Sequence, residues 1–442
     1  MKTILILGAG KSATVLIEFL LSQAPQFSWK VQVADANLSA AKLKVGGSTW
    51  GEGVKLDVTE DAPRRALIGQ ADLVISLLPP HLHILVANDC LLLGHSLFTA
   101  SYVDEDVKQL ASEIEKKGLL FLYEMGLDPG IDHMSAMALV DEIKAKGGNI
   151  LSFISHCGGL VATDSDNNPW HYKISWNPAN VVQAGKNGAL YRWNNKTVQL
   201  STEELFAEIR PVTIQHAESL AWYPNRDSLS YLELYGLDNT TTFIRTTLRH
   251  PNFIKGWHRL IQLGFTQNNP ILVNRNTTYA ELVQQFLEAN KLLSDFNQMI
   301  ENDSQLAQLF QSLGFMDSGS IAQKNEYSPA TFLQECLEKN LKMETLDKDR
   351  VVMQHEIIYE LGGEIKQLVV TLDIEGDDAM HTAMAKTVGL PLALAAVSFL
   401  KGELQMKGLK VPMHSIIYKA VLPKLKALGI HFHESEIELK NY

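Results

Sequence analysis

Hydrophobic and polar positions alternate along the first ~125 residues in a way that separates short buried strands from helices. Apolar runs appear at Thr3 to Leu7, Lys30 to Ala34 (KVQVA), Val54 to Leu56, Leu73 to Leu77 (LVISL), Ser96 to Thr99 and Leu119 to Tyr123. Between the first two, Ser12 to Ser22 carries helical spacing. Continuous apolar strands alternating with helices predict a parallel α/β sheet of the doubly wound, Rossmann kind. From about Ile150 the texture changes to period-two segments such as "ALYRWNNKTVQL" (Ala189 to Leu200) and "TTTFIRTTL" (Thr240 to Leu248), which predict a mixed sheet with hairpins. A polar, Gln- and Asn-rich stretch of helical period occupies about 251–345, and strands resume at "VVMQHEIIYELGGEIKQLVVTLDIEG". The expected organisation is therefore a dinucleotide domain at 1–125, completed by 388–442, and an α+β substrate-binding domain at 126–387 with a helical insertion.

Composition narrows the partners. A 442-residue chain exceeds what one core supports, and 46% hydrophobic with 20% charged residues describes a folded globular protein. Net charge is −11 with no basic block, which argues against nucleic acid as a partner. Cys90, Cys157 and Cys336 are too few and too scattered for a disulfide framework or a zinc site, so no metal is expected and a reducing compartment fits. The apolar run in "MKTILILGAG" is shorter than a signal-peptide core, and Val388 to Leu400, interrupted by Pro391, falls short of a membrane span. The expectation is a cytoplasmic enzyme, independent of membranes, with a homodimer as the default assembly.

The first candidate chemistry sits directly after strand one. Gly8-Ala9-Gly10-Lys11-Ser12-Ala13 is a G-x-G-x-x-A fingerprint that opens a helix, which brings a pyrophosphate to the helix N-terminus. Asp35 ends strand two, where a carboxylate accepts from a ribose 2′-OH and repels a 2′-phosphate; NAD or NADP is expected, with Asp35 favouring NAD. Lys42 and Lys44 read as a solvated helix face. Asp57 is placed to meet the adenine edge or, equally, to cap the following turn. Leu77, Leu78 and Pro79 end strand four at the carboxyl edge of the sheet and can line the nicotinamide ribose. His81 and His83 read as surface residues of a helix start.

The second candidate is "EMGLDPGIDHMSAM", Glu124 to Met137, where a buried strand runs into four ionisable groups around a Pro-Gly turn. Asp128, before that turn at the sheet's carboxyl edge, is suited to general-base work once partly buried. Asp132 is expected to cap a helix from Met134 to Lys146, and His133 to lie under the site.

With these motifs "SHCGGL" (Ser155 to Leu160), "YKISWNP" (Tyr172 to Pro178), "YPNRDSL" (Tyr223 to Leu229), "TLRHPNF" (Thr247 to Phe253) and "AMAKTVGLPLALAA" (Ala383 to Ala396), the chain resembles, nearly end to end, the glutamate-forming saccharopine dehydrogenases, or saccharopine reductases. The resemblance implies oxidation of saccharopine with NAD(P)+ and water to L-glutamate and 2-aminoadipate 6-semialdehyde. It implies active-site roles for Asp128, Tyr102 ("TASYV") and Cys157. For the amino-acid substrate, Arg226 offers a carboxylate fork, Gly158 and Gly159 backbone N–H groups, and Glu124 an anion for an ammonium. Ala179-Asn180 departs from the resemblance where a basic residue is expected, so one carboxylate contact must come from elsewhere. The competing readings are a carboxynorspermidine- or homospermidine-type reductive condensation, which a "DPG" turn also fits, and a non-catalytic nucleotide-binding scaffold.

Overall fold

The computed structural model describes residues 1–214 and 219–439. Residues 440–442, the end of the segment expected to complete the dinucleotide domain, lie outside the described residues. The chain divides into two compact units. One is Met1–Asn149 with Leu361–Gly363 and Met380–His433; the other is Ile150–Glu360 with Glu364–Ala379 and the residues from Glu434 onward.

In the first unit seven parallel strands lie in the order Gly408–Lys410, Leu120–Leu122, Leu97–Thr99, Leu73–Ser76, Lys2–Leu7, Trp29–Asp35, Gly51–Lys55. The strand order reverses between Lys2–Leu7 and Leu73–Ser76, the switch point at which such sheets bind ligands. Ile4, Ile6, Val31, Val33 and Val74 are fully buried, as expected of strands covered on both faces. The third strand begins at Gly51, earlier than Val54, because its pairing starts with Val31 opposite Gly51, and glycines at 51 and 53 masked the strand pattern.

The unit extends past the expected boundary at 125. Helix Ile131–Ala145 buries Ile131, Met134, Leu139, Val140 and Ile143, and packs on helix Ser415–Ala427, where the Tyr418 hydroxyl donates to Asp141 at 2.5 Å. Helix Ala383–Leu400 is apolar and long enough to cross a membrane by length and composition, yet 83% of it is buried inside the protein. It lies on helix Thr14–Phe27, closely enough that a Cβ at Gly389 would stand 2.9 Å from the Leu16 nitrogen. Its end is fixed by Phe399 against Phe98, ring centroids 5.2 Å apart, and by the Lys2 ammonium donating to the Leu400 carbonyl at 2.6 Å.

The second unit is built on a nine-stranded mixed sheet whose main path is Arg210–Val212, Leu220–Pro224, Thr242–Arg249, Asn149–Val161, Asp349–Leu361, Glu364–Glu375, His433–Glu438. The expected hairpin is Ala189–Trp193 with Lys196–Leu200, turned by Asn194 and Asn195 at φ 47° and 64°, a left-handed pair that asparagine tolerates. Five helices fill the stretch from Pro251 to Asn340. Capping boxes at Thr278/Glu281 and Ser328/Thr331 start two of them, and Phe286, Phe310, Phe315 and Phe332 form their shared core. Trp170 belongs to that core, its indole N–H donating to the Leu309 carbonyl at 2.9 Å.

Candidate active site

The glycine loop has the shape a dinucleotide needs. Gly8 sits at φ +106°, and a Cβ there would lie 2.9 Å from the Leu77 carbonyl oxygen, so only glycine lets the two strand ends approach. At Gly10 a Cβ would meet nothing within 4 Å, leaving the backbone open for a pyrophosphate; Lys11 is exposed, Ser12 half-buried and Ala13 buried against the sheet. The Ala9 N–H donates to one oxygen of Asp35 at 2.8 Å and the Asn37 N–H to the other at 2.8 Å. The Asp35 carboxylate is thereby locked to the loop, with acceptor capacity left for a ribose hydroxyl. The residues fit a bound nicotinamide dinucleotide.

Asp57 is exposed and caps the turn that follows it, 57–60, as one of the two expectations had it; the helix Asp61–Ile68 beyond starts at Glu60 without a side-chain cap. The Asp57 carboxylate accepts from the Thr59 hydroxyl and backbone N–H, and these bonds hold its pKa below the usual range. Leu77 and Leu78 are half-buried and Pro79 exposed, at the strand's carboxyl end as expected. Lys44 is not part of a solvated face: it donates to the Thr14 hydroxyl, and burial lowers its pKa.

The loop after strand Leu120–Leu122 is more discriminating than its sequence suggested. From 120 to 137 every residue is buried except Asp128. The Tyr102 hydroxyl donates to Asp128 Oδ1 at 3.3 Å, and the Asp128–Pro129 peptide is cis. Glu124, expected to receive a substrate ammonium, is 4% exposed and left-handed at φ 61°. Its Oε1 accepts from the Val103 N–H at 3.3 Å and its Oε2 lies 3.3 Å from His133 Nε2, so its charge is engaged by the protein itself. Asp132 does not cap the helix ahead of it. It is the helix's second residue and accepts backwards from the Gly130 N–H at 2.6 Å, closing the turn. His133 is fully buried between Glu124 and Asp132.

His83, read as a surface residue, is 1% exposed. Its Nδ1 lies 2.8 Å from the Ser76 hydroxyl and its Nε2 2.7 Å from the Ser101 hydroxyl. Burial, with His81 nearby, pushes its pKa down to about 4, so the ring is neutral. His81 is exposed as expected. Because the serine partners of His83 lie seven residues before it, at the end of strand Leu73–Ser76, and eighteen after it, just past strand Leu97–Thr99, no local pattern announced the contact.

In the second unit, strand Thr242–Arg249 runs parallel to Asn149–Val161, with Arg245 opposite Ser155 and Thr247 opposite Cys157. Alternation then puts Arg245, Thr247, Arg249, Ser155, Cys157 and Gly159 on one face. Cys157 is 6% exposed, Arg245 2% and Arg249 6%. The Arg245 guanidinium lies over Tyr231 and that of Arg249 over Tyr172, 4.8 and 5.1 Å from the ring centroids. Arg249 donates to the Gly159 and Leu248 carbonyls at 3.3 and 2.7 Å, while its buried Nε has no acceptor among the described residues. Gly158 faces the other way: a Cβ there would stand 2.6 Å from Leu248 Cβ, so strand packing already accounts for this glycine. Arg226, the cation singled out from sequence, is exposed on a left-handed turn at φ 50°. The two buried arginines were missed, although the alternation in "TFIRTTLR" was the signal that could have found them.

Comparison with known proteins identifies two regions. Residues 4–122 match the family description "Saccharopine dehydrogenase NADP binding domain" and residues 126–430 match "Saccharopine dehydrogenase C-terminal domain". The chain is 31% identical over 451 residues to the saccharopine dehydrogenase (NADP(+), L-glutamate-forming) of Saccharomyces cerevisiae, covering 99% of each. It is 32% identical over 476 residues to the alpha-aminoadipic semialdehyde synthase of Arabidopsis thaliana, covering 98% of this chain and 44% of that protein. The chain thus spans about half the length of such longer relatives. Among solved structures, the apo saccharopine dehydrogenase (L-Glu forming) from S. cerevisiae superposes with a TM-score of 0.84 at 30% identity, covering 99% of this chain and 100% of the other.

Proposed function

The chain belongs to the saccharopine dehydrogenase family, and on that premise we propose that it oxidises saccharopine with NAD(P)+ and water to L-glutamate and 2-aminoadipate 6-semialdehyde, a step of lysine metabolism, and runs the reverse condensation and reduction. The observation that carries this reading is the Tyr102–Asp128 pair, because Asp128 is the one accessible group in a buried loop at the carboxyl edge of the sheet.

A bound nicotinamide dinucleotide supplies the hydride acceptor, with Gly8, Gly10, Lys11, Ser12, Ala13, Asp35, Asp57, Leu77, Leu78 and Pro79 proposed to hold it. The chain's own residues must then manage protons. When the oxidised C–N carbon takes up water, a proton leaves that water; when the carbinolamine collapses, the C–N bond breaks and the departing amine gains one. Asp128 receives the first proton, and the Tyr102 hydroxyl, donating to the same carboxylate, holds it at the reacting carbon. Glu124 does not touch substrate in this scheme; its buried carboxylate supports the loop.

On the second unit, Arg249 is assigned to a substrate carboxylate because its Nε is buried and without an acceptor among the described residues. Arg245 beside it supplies further positive potential, which meets the need left by Ala179-Asn180. Arg226 is kept as an exposed second carboxylate fork, Cys157 as an acid/base or lining thiol, and the Gly158–Gly159 backbone as a carboxylate contact. Asp35 leads us to propose NAD as the preferred cofactor, since a 2′-phosphate at that ribose meets a carboxylate. We further propose a cytoplasmic location, which three cysteines without a disulfide fit, and a homodimer as the default assembly.

The test is direct: purified protein is mixed with saccharopine and NAD or NADP while absorbance of the reduced cofactor is followed. Turnover to glutamate supports the proposal. Silence with both cofactors, alongside turnover of a carboxylated polyamine, replaces it with the condensation reading.

A further inference from the structure

Tyr102 stands on a segment whose two flanking residues are anchored from outside, and the anchors are side chains no catalytic step uses. On one side, the Ser101 hydroxyl lies 2.7 Å from His83 Nε2, and His83 Nδ1 lies 2.8 Å from the Ser76 hydroxyl. The Ser101 carbonyl also accepts from the Glu124 N–H at 3.0 Å. On the other side, the Val103 N–H donates to Glu124 Oε1 at 3.3 Å, and Glu124 Oε2 is 3.3 Å from His133 Nε2. We infer that His83, bridging buried Ser76 to Ser101, is a positioning residue that acts with Glu124 to hold the 101–103 segment so that the Tyr102 hydroxyl meets Asp128.

Three observations carry the assignment. Ser76 is fully buried and His83 nearly so, and a leucine would fill such a place without the desolvation cost of an imidazole. The ring nevertheless remains, with both nitrogens used. A neutral imidazole donates through one nitrogen and accepts through the other, so it fixes the direction of both serine hydroxyls at once. The contact it protects is also easily lost. Tyr102 Oη to Asp128 Oδ1 is 3.3 Å, at the long end of a hydrogen bond, so a shift of a few tenths of an ångström in the 101–103 segment weakens it sharply.

This inference rests on the acid–base reading of Tyr102 and Asp128, and a double-mutant cycle separates the two. His83→Leu, His83→Gln, Ser101→Ala and Tyr102→Phe are each made, together with His83→Leu in the Tyr102→Phe background. Turnover of saccharopine is measured beside the cofactor dissociation constant from nucleotide fluorescence. His83→Leu and Ser101→Ala are expected to lower kcat about tenfold with the cofactor dissociation constant within about twofold, and His83→Gln to recover most of the loss. In the Tyr102→Phe background the His83→Leu loss should shrink below about twofold, because the group being positioned has gone. A His83→Leu loss of equal size in both backgrounds overturns the inference while leaving a slow Tyr102→Phe enzyme, and the acid–base reading, intact. Wild-type speed in Tyr102→Phe removes that reading and the inference with it. Should His83→Leu fail to fold, Ser101→Ala decides, since it cuts the same contact and leaves the imidazole in place; unchanged kcat in that variant overturns the inference.

Discussion

Acid should destabilise this protein through His83 in particular. The ring is 1% exposed, and burial, with His81 next in importance, takes its pKa from 6.5 to about 4 in the folded state. Between those two values the unfolded chain binds a proton that the folded chain refuses. The contribution is therefore intact above about pH 6.5 and is lost as the pH falls through about 4. At pH 5 the unfolded ring is already about thirtyfold protonated over neutral while the folded ring is mostly neutral, a difference of about 2 kcal/mol, rising to about 3 kcal/mol at still lower pH. His250, pushed to about 4 by its own burial and by His171, adds to the acid sensitivity of the wild type, so the comparison must be between proteins at each pH. Urea unfolding of the wild type and of His83→Gln at about pH 8 and about pH 5 makes that comparison, because all other titrating groups cancel. The wild type should lose about 2 kcal/mol more than the variant between the two conditions. Parallel losses in the two proteins would refute the reasoning, and with it the claim that the buried ring is neutral.

Further outcomes follow from the site. Asp35→Asn removes the charge and keeps an acceptor for one of the Ala9 and Asn37 N–H groups, so the ratio of kcat/KM for NADP over NAD should rise about tenfold or more; steady-state kinetics with both cofactors checks it. Arg249→Lys replaces a planar fork by a point charge, and KM for saccharopine should rise about tenfold to a hundredfold with kcat held within a few-fold. Gly158→Ala forces a Cβ to within 2.6 Å of Leu248 Cβ and should destabilise the protein by about 1–3 kcal/mol, read as a lowered Tm in scanning calorimetry.

Much of the first unit was legible because its signals are local. Continuous apolar runs, a glycine loop after the first of them and an acid ending the second are all read within a few residues of themselves. What was not legible depends on strands distant in sequence. The polarity of His83 suggested solvent, yet Ser76 and Ser101 satisfy it from two neighbouring strand ends. Glu124 looked like a ligand because a carboxylate beside Asp128 is conspicuous in sequence, but the chain turns it inward through a left-handed backbone, where Val103 and His133 meet it. Asp132 had the right type for a cap and the wrong direction, bonding to the turn behind it. For the second unit the failure was one of weighting. Arg226 stood out beside a turn, whereas Arg249 lay inside an alternating strand, and an arginine in a half-apolar strand reads as its solvent side until both faces prove to be covered.

The first unit is completed late. Its sheet ends with Gly408–Lys410 beside Leu120–Leu122, and the helix that covers Thr14–Phe27 is Ala383–Leu400. During synthesis the first 149 residues emerge with that apolar face uncovered, and the chain must add some 250 residues before the missing pieces arrive. At roughly 5–20 residues per second this interval lasts on the order of ten seconds to a minute. Most of the intervening unit is made in that time, although its last strand, His433–Glu438, follows the helices that finish the first unit. The loop residues from Gly8 to Pro79 are thus made long before the unit that supports them is whole, so nucleotide binding reports on a chain extended at least through Ser415–Ala427.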